Sequence, residues 1–205
     1  LSIGLSDNEV RGVAVADVNS DGDDDILVSE WQATPPRIYL MLGHGDGTFS
    51  QGDTLEPSQS LYSLAAADLN DDGKIDLIGT QHEYEEVSVF MGSDPGVFGP
   101  EHVFPAGRNP RSIIVGHFNS DDWLDLAVSN YRISEHVTVM LGIGDGTFGA
   151  PDTCEGESRR GGCQIAWGDF DSDGDSDIAV ANNESNGVEI FTNDGSGGFV
   201  FDTSY

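Results

Sequence analysis

ADVNSDGDDDILV, residues 16–28, sets oxygen-bearing side chains on alternate positions, at Asp17, Asn19, Asp21, Asp23 and Asp25, and then turns apolar. The pattern returns as ADLNDDGKIDLIG at 67–79, GHFNSDDWLDLAV at 116–128 and GDFDSDGDSDIAV at 168–180. The second residues of the four stretches, Asp17, Asp68, His117 and Asp169, stand 51, 49 and 52 residues apart. A second landmark keeps the same period: YLMLGHGDGTF, VFMGSDPGVF, VMLGIGDGTF and IFTNDGSGGF end at Phe49, Phe98, Phe148 and Phe199. Two landmarks on one period mark an internal repeat, and a period near fifty residues belongs to propellers and arrays.

Within one repeat the runs are β-type. Gly12 to Ala16 leads into the acidic loop, Ile26 to Val28 leaves it, and Arg37 to Leu42 forms a third run ended by a Gly-rich turn. A weaker fourth strand follows Phe49. β-branched and aromatic residues fill these runs, Gly, Asp, Asn and Pro separate them, and no capped helical period appears. The expected fold is therefore all-β: a β-propeller of four four-stranded blades with a repeat period of about fifty residues. One domain is expected over 1–205, with blades at approximately 8–58, 59–107, 108–159 and 160–205 plus 1–7. Only six residues follow Phe199, against about a dozen after Phe49 and Phe98 before the next first strand. Leu1 to Leu5 is the candidate for the missing part of that outer strand. It would close a ring within one chain or, alternatively, complete a blade of a neighbouring molecule.

The acidic loops carry the chemistry. Calcium takes six to eight oxygens from carboxylates, amides and backbone carbonyls. Loop positions one, three, five and nine supply side chains: Asp17, Asn19, Asp21 and Asp25; Asp68, Asn70, Asp72 and Asp76; Asp169, Asp171, Asp173 and Asp177. Position seven supplies a backbone carbonyl, from Asp23, Lys74 or Asp175, so a lysine is tolerated there. A glycine at position six (Gly22, Gly73, Gly174) permits the sharp turn. Crowding these carboxylates without a cation costs like-charge repulsion, the alternative being a solvated acidic turn. The third loop departs, with His117 at position one and Asp122 at position six, while Asn119, Asp121, Trp123 and Asp125 keep their places. Imidazole suits a hard cation poorly, so this fourth, degenerate site is expected to be weak or empty. An EF-hand would need Glu at position twelve, where Val28, Gly79 and Val180 stand.

Composition narrows the partners. Acidic residues outnumber basic ones 37 to 8, a formal charge of −29 over 205 residues. Such a field excludes nucleic acid and anionic membrane as default partners and attracts cations. No apolar stretch approaches the roughly 18 residues of a membrane span. Cys154 and Cys163 flank CEGESRRGGC, which reads as a disulfide closing a short loop in an oxidising, extracellular compartment, or else as two free thiols. No H-E-x-x-H or G-x-S-x-G element is present, and the abundant carboxylates are accounted for by metal binding, so no catalytic residues are expected.

The D-x-[DN]-x-D-G-x-x-D loops, with the G-D-G-T-F turns at Gly45 to Phe49 and Gly144 to Phe148, resemble the FG-GAP or VCBS-type propeller repeats of integrin α-subunit heads and many bacterial surface proteins. The resemblance covers nearly the whole chain. It implies calcium in the loop between the first and second strands of each blade. It also implies one face shared by the calcium loops and GDGTF turns, and an opposite face carrying Trp31, Tyr84, Arg108, Tyr131 and Arg132 as candidate ligand contacts. The family includes adhesion modules, lectins and parts of polysaccharide-active enzymes. The expected function is a non-catalytic, secreted or cell-surface calcium-binding module for a protein or glycan ligand. The alternatives are a structural subunit that self-associates through its termini, or an accessory domain of a polysaccharide-active enzyme.

Overall fold

In the computed structural model, residues 9–131, 135–157, 162–183 and 186–205 are described. They form sixteen strands in four antiparallel sheets, each a simple meander of four consecutive strands. The first sheet holds β1 (Val10–Ala16), β2 (Asp25–Glu30), β3 (Arg37–Gly43) and β4 (Phe49–Leu55). The second holds β5 (Leu64–Ala67), β6 (Asp76–Gln81), β7 (Glu86–Asp94) and β8 (Val97–Pro105). The third holds β9 (Pro110–Gly116), β10 (Asp125–Asn130), β11 (Glu135–Met140) and β12 (Asp152–Glu155). The fourth holds β13 (Gly162–Gly168), β14 (Asp177–Asn182), β15 (Gly187–Asn193) and β16 (Phe199–Ser204). The all-β reading and the four strands per repeat stand. The fourth sheet reaches its full complement with β16, which pairs along β15 from Asn193↔Phe199 to Glu189↔Ser204. Leu1 to Leu5, expected to complete that sheet, lie outside the described residues.

The sheets gather into two compact units. One runs to Gln81 and takes in Val87–Phe104; the other comprises His82–Glu86 and Pro105–Tyr205. In the first unit, Leu27, Ile38, Leu40, Leu61, Leu64, Leu77 and Phe90 form the core, and in the second Phe118, Val137, Val139, Ile165, Ile178, Val180 and Phe191 do so. The second strands of the first three sheets are buried almost throughout, whereas β14 of the fourth leaves Ala181 exposed.

That burial extends to polar residues at the ends of β2, β6 and β10, where one hydrogen-bonding device recurs. Ser29 Oγ, Thr80 Oγ1 and Ser129 Oγ accept the N–H of Gly12, Ser63 and Ser112 on or beside the neighbouring first strand, at 2.9, 3.1 and 3.2 Å. The next residue reaches the third strand instead. Gln81 Nε2 donates to Ser88 Oγ (2.8 Å), Asn130 Nδ2 to Thr138 Oγ1 (2.8 Å), and Glu30 Oε2 accepts from Tyr39 OH (3.2 Å). The incoming connection then lays a small residue on that pair. Ser58 N donates to Glu101, which also accepts from Ser88, and Gly107 fits so closely over Asn130 and Thr138 that a Cβ would lie 2.2 Å from Asn130 Nδ2.

The expected disulfide is not formed: Cys154 and Cys163 are free thiols. Cys154 is on β12, the outer strand of the third sheet, packed among Val139, Phe191 and Phe199. Cys163 is on β13, the inner strand of the fourth sheet, which lies against β9, the inner strand of the third. Three strand spacings separate β9 from β12, about 14 Å in all, whereas bridged Cα atoms lie within about 7 Å. Cys163 Sγ instead accepts from Arg111 Nη1 at 3.2 Å.

Candidate metal centres

Each acidic loop hangs on its position-nine aspartate. Asp25, Asp76, Asp125 and Asp177 open the second strands and are fully buried. One oxygen of each accepts the backbone N–H at position two, from Val18, Leu69, Phe118 or Phe170, at 2.8–3.0 Å. The other accepts the N–H at the end of the third strand, from Gly43, Gly92, Gly142 or Asn193, at 2.8–2.9 Å. The clamp thus fastens the loop to its own sheet. Burial pushes the Asp25, Asp76 and Asp125 carboxyls above the ordinary carboxylate range, against the pull of these backbone donors.

The third-strand position is crowded. A Cβ on Gly43, Gly92 or Gly142 would lie 2.2, 2.6 or 2.2 Å from the carbonyl oxygen of Asp24, Ile75 or Leu124. In the fourth sheet Asn193 replaces the glycine, and its Nδ2 donates to the matching carbonyl of Ser176 (3.1 Å) and to Phe118 O (2.8 Å).

The remaining donors gather above the clamp. Asp17 accepts from the N–H groups of Asp21 and Gly22, and Asp68 from those of Asp72 and Gly73. Asn19 Oδ1 and Asn70 Oδ1 turn back onto the N–H of position five. Left-handed backbone at Ser20, Asp71 and Ser172 and at Gly22, Gly73 and Gly174 folds the chain around these oxygens. In the fourth loop Asp169, Asp171 and Asp177 bring one oxygen each within 4.8 Å of one another. The first two loops carry Asn where the fourth has Asp171, so their oxygen set is the same with one charge fewer. Carboxylates and amide oxygens with no sulfur and no imidazole are the donors a hard cation takes, and these residues fit calcium.

In the first, third and fourth loops position seven does not send its side chain into the loop, whereas Lys74 Nζ of the second lies 3.9 Å from Asp72 Oδ2. A Cβ on Gly45 would lie 2.3 Å from Asp23 Oδ1, one on Gly195 2.6 Å from Asp175 Oδ2, and one on Gly144 2.4 Å from the Trp123 ring. The side chains of Asp23, Trp123 and Asp175 therefore cover the first glycine of the third-to-fourth strand turn, leaving only their carbonyls for an ion.

The third loop is built differently. Its Ser120 and Asp122 lack the left-handed conformation of their counterparts. His117 Nδ1 lies 3.0 Å from Trp123 O, so the imidazole N–H donates to the carbonyl that would otherwise face an ion. Position one and position seven close on each other.

The first and third loops also meet the next sheet. Gly96 N, in the β7–β8 turn, donates to Val18 O at 2.8 Å, and Asn119 bridges to Ser196 in the β15–β16 turn.

The opposite strand ends hold the expected ligand residues, with altered roles. Trp31 is only 9% exposed and sets its edge against Tyr62, over whose ring Arg11 lies at 5.2 Å. Tyr84 is exposed, and Arg108 pairs with Glu85 at 3.5 Å. Tyr131 is half-buried beneath the Arg111 guanidinium, 3.6 Å from its centroid. Arg132 lies outside the described residues. Arg11 and Tyr62 escaped the sequence reading. Their signal was positional: Arg11, Tyr62, Arg111 and Cys163 all stand six residues before position one of their acidic loops, Asp17, Asp68, His117 and Asp169.

These loops and turns define a repeat family. The chain belongs to the FG-GAP-like repeat family, whose model matches residues 17–79, 68–128 and 117–180. Cartilage acidic protein 1 of Homo sapiens is 27% identical over 207 residues, covering 92% of this chain, and that of Mus musculus is equally similar. The chain spans 30–31% of the length of those relatives. Among solved structures, BBS1N in complex with ARL6DN matches 94% of this chain and 56% of its own at TM-score 0.64 and 11% identity. The Pseudomonas aeruginosa periplasmic gluconolactonase PpgL matches 94% of this chain and 56% of its own at TM-score 0.59 and 19% identity. Both are propellers, and at these identities the likeness is one of fold alone. No helix among the described residues is long and apolar enough to cross a membrane.

Proposed function

We propose that the four sheets are the blades of a calcium-binding propeller that serves outside the cell as a non-catalytic adhesion or ligand-binding module. The observation that carries this reading is the fourfold recurrence of one loop. A buried aspartate clamps it to the sheet, and in three of the four copies oxygen donors at positions one, three and five surround a turn with nothing but hard-cation chemistry. Calcium at the loops beginning at Asp17, Asp68 and Asp169 neutralises carboxylates that otherwise repel one another, so its role is to set the blades rather than to react. The propeller fold of the structural neighbours supports the module, and the likeness to cartilage acidic protein 1, named for an extracellular tissue, supports its place outside the cell. The ligand contacts lie at the strand ends of each unit, Arg11, Trp31 and Tyr62 in the first and Tyr84, Arg108, Arg111 and Tyr131 in the second, with Arg132 a candidate from the sequence, and a protein or glycan is the partner.

Extracellular calcium modules bind at about 10⁻⁴–10⁻³ M. At millimolar calcium each site then adds about 0.4–1.4 kcal/mol by mass action. Removing calcium from three sites lowers the melting temperature clearly in calorimetry. An unchanged melting curve in excess chelator would sink the calcium assignment, and turnover on a polysaccharide would replace the non-catalytic reading with an enzymatic one.

A further inference from the structure

In the first compact unit, a cavity of about 420 Å³ opens between β4 and β8, the outer strands of the first and second sheets. Gly96 of its lining also donates to Val18 O in the first acidic loop, while the other lining residues lie outside the acidic loops. Its floor is apolar, with Leu55, Phe90 and Phe98, and its rim carries Asp53, Glu56 and Glu101. A volume of this order holds a small ligand or two to three side chains of a peptide.

One of the rim carboxylates is fixed in place. Glu101 Oε1 accepts from Ser88 Oγ (2.7 Å) and Gln81 Nε2 (3.3 Å), and Oε2 accepts from Ser58 N (2.7 Å). Three donors on two oxygens leave lone pairs to spare while denying the side chain other rotamers. The same hydrogen bonds orient the Gln81 amide with its nitrogen toward Glu101, which leaves Gln81 Oε1 buried with no hydrogen-bond partner. The cavity thus combines an apolar floor with three carboxylates and no basic residue in its lining, and so suits a basic, hydrogen-bond-donating partner.

The walls say what form the donor takes. β4 and β8 are edge strands, each with one side unpaired by its own sheet. Edge strands recognise extended chains through backbone hydrogen bonds. Pro100 removes a donor from β8, whereas β4 runs from Phe49 to Leu55 without proline. We propose that this groove binds an extended peptide segment of a partner protein, paired along β4, whose apolar side chain rests on Phe90 and Phe98 and whose lysine or arginine side chain reaches Glu101.

The probe is a dye-labelled decapeptide of alternating valine and lysine, titrated by fluorescence anisotropy against the calcium-saturated chain at about 150 mM salt, where long-range attraction to the net charge is screened. The same peptide with glutamate for lysine is the control. The lysine peptide is expected to bind and the glutamate peptide not. Thr54→Trp, at an exposed position of β4, fills the groove and is expected to weaken binding by roughly tenfold or more. Should Thr54→Trp lower the melting temperature, the pair Asp53→Asn with Glu56→Gln, both on exposed side chains, tests the rim instead and is expected to weaken binding several-fold. Equal binding of both peptides, no binding at millimolar peptide, or binding that neither set of substitutions changes overturns the proposal. None of these results bears on the calcium loops, which remain saturated throughout.

Discussion

A single side chain decides what each acidic loop does. An aspartate at position one offers two oxygens to the turn; His117 offers an N–H and spends it on the Trp123 carbonyl. Asp17→Ala, Asp68→Ala and Asp169→Ala are each expected to lower the calcium stoichiometry by one in isothermal titration, and His117→Ala to leave it unchanged. Four equivalent sites in the parent chain would contradict this ranking. The glycines that end the third strands make a second case. Gly142 stands where a Cβ would meet the Leu124 carbonyl at 2.2 Å, a backbone atom that cannot swing away. Gly142→Ala should cost about 1–3 kcal/mol in urea unfolding, the usual range for overpacking a fixed position. Asn193→Gly should cost less, because it keeps the backbone N–H on Asp177 and loses only the side-chain bonds to Phe118 and Ser176. A larger loss from Asn193→Gly than from Gly142→Ala would show that the asparagine, not the clamp, holds the fourth loop.

At the scale of strands and loops, the cysteines separate what local pattern can and cannot say. Nine residues apart, they look like the two ends of one loop, yet one sits on an outer strand and the other on an inner strand of the next sheet. Burial pushes the Cys154 thiol up to about 11, so it stays protonated and inert at neutral pH. Unreduced protein in denaturant should titrate two thiols with a chromogenic disulfide reagent, and the folded protein should alkylate at Cys163 and spare Cys154. Zero thiols in denaturant would restore the bridge. The repeat itself was legible because strand, acidic loop and Gly-rich turn are each local patterns recurring on one period. The direction of the position-seven side chains was not, since Asp23 looks like any other carboxylate in its loop until Gly45 is seen beneath it. The Glu101–Gln81–Ser58 cluster was equally hidden: its members come from three strands or connections, and no spacing links them. The reading of the third loop came from residue chemistry, and the structure supplied its internal hydrogen bond.

Over the whole molecule, charge is divided along the strand direction. Arg11, Arg37, Arg108 and Arg111 all stand at strand ends away from the acidic loops, and Lys74 alone sits within one. Three divalent ions would bring the formal charge from −29 to −23, still far from neutral. Stability should therefore depend on pH in opposite senses with and without calcium. Asp25, Asp76 and Asp125 have folded pKa values raised by burial. Their contribution is fully present below the unfolded carboxylate pKa and is lost as pH rises through the raised folded values, so metal-free protein should melt higher at pH 5 than at pH 7. Asp46, Asp145 and Asp194, held low by the hydroxyls of Thr48, Thr147 and Ser196, act the other way but lie exposed at turn tips, where solvent weakens them. Saturating calcium favours the ionised loops and should reverse the order of the two melting temperatures. The same order in both conditions would mean that the loops do not take up the ion as carboxylates.

The hydrogen bond from Gly96 to Val18 has a consequence for where an ion can be observed. The first loop is touched by the turn of the sheet that follows as well as by its own sheet's turn, and Asn119 and Ser196 repeat the contact with the following sheet in the second unit. A fluorophore or isotopic label at the β7–β8 turn would therefore register the occupancy of the loop one repeat upstream, and a label at the β15–β16 turn that of the third loop. In each unit the second repeat carries the readout of the first.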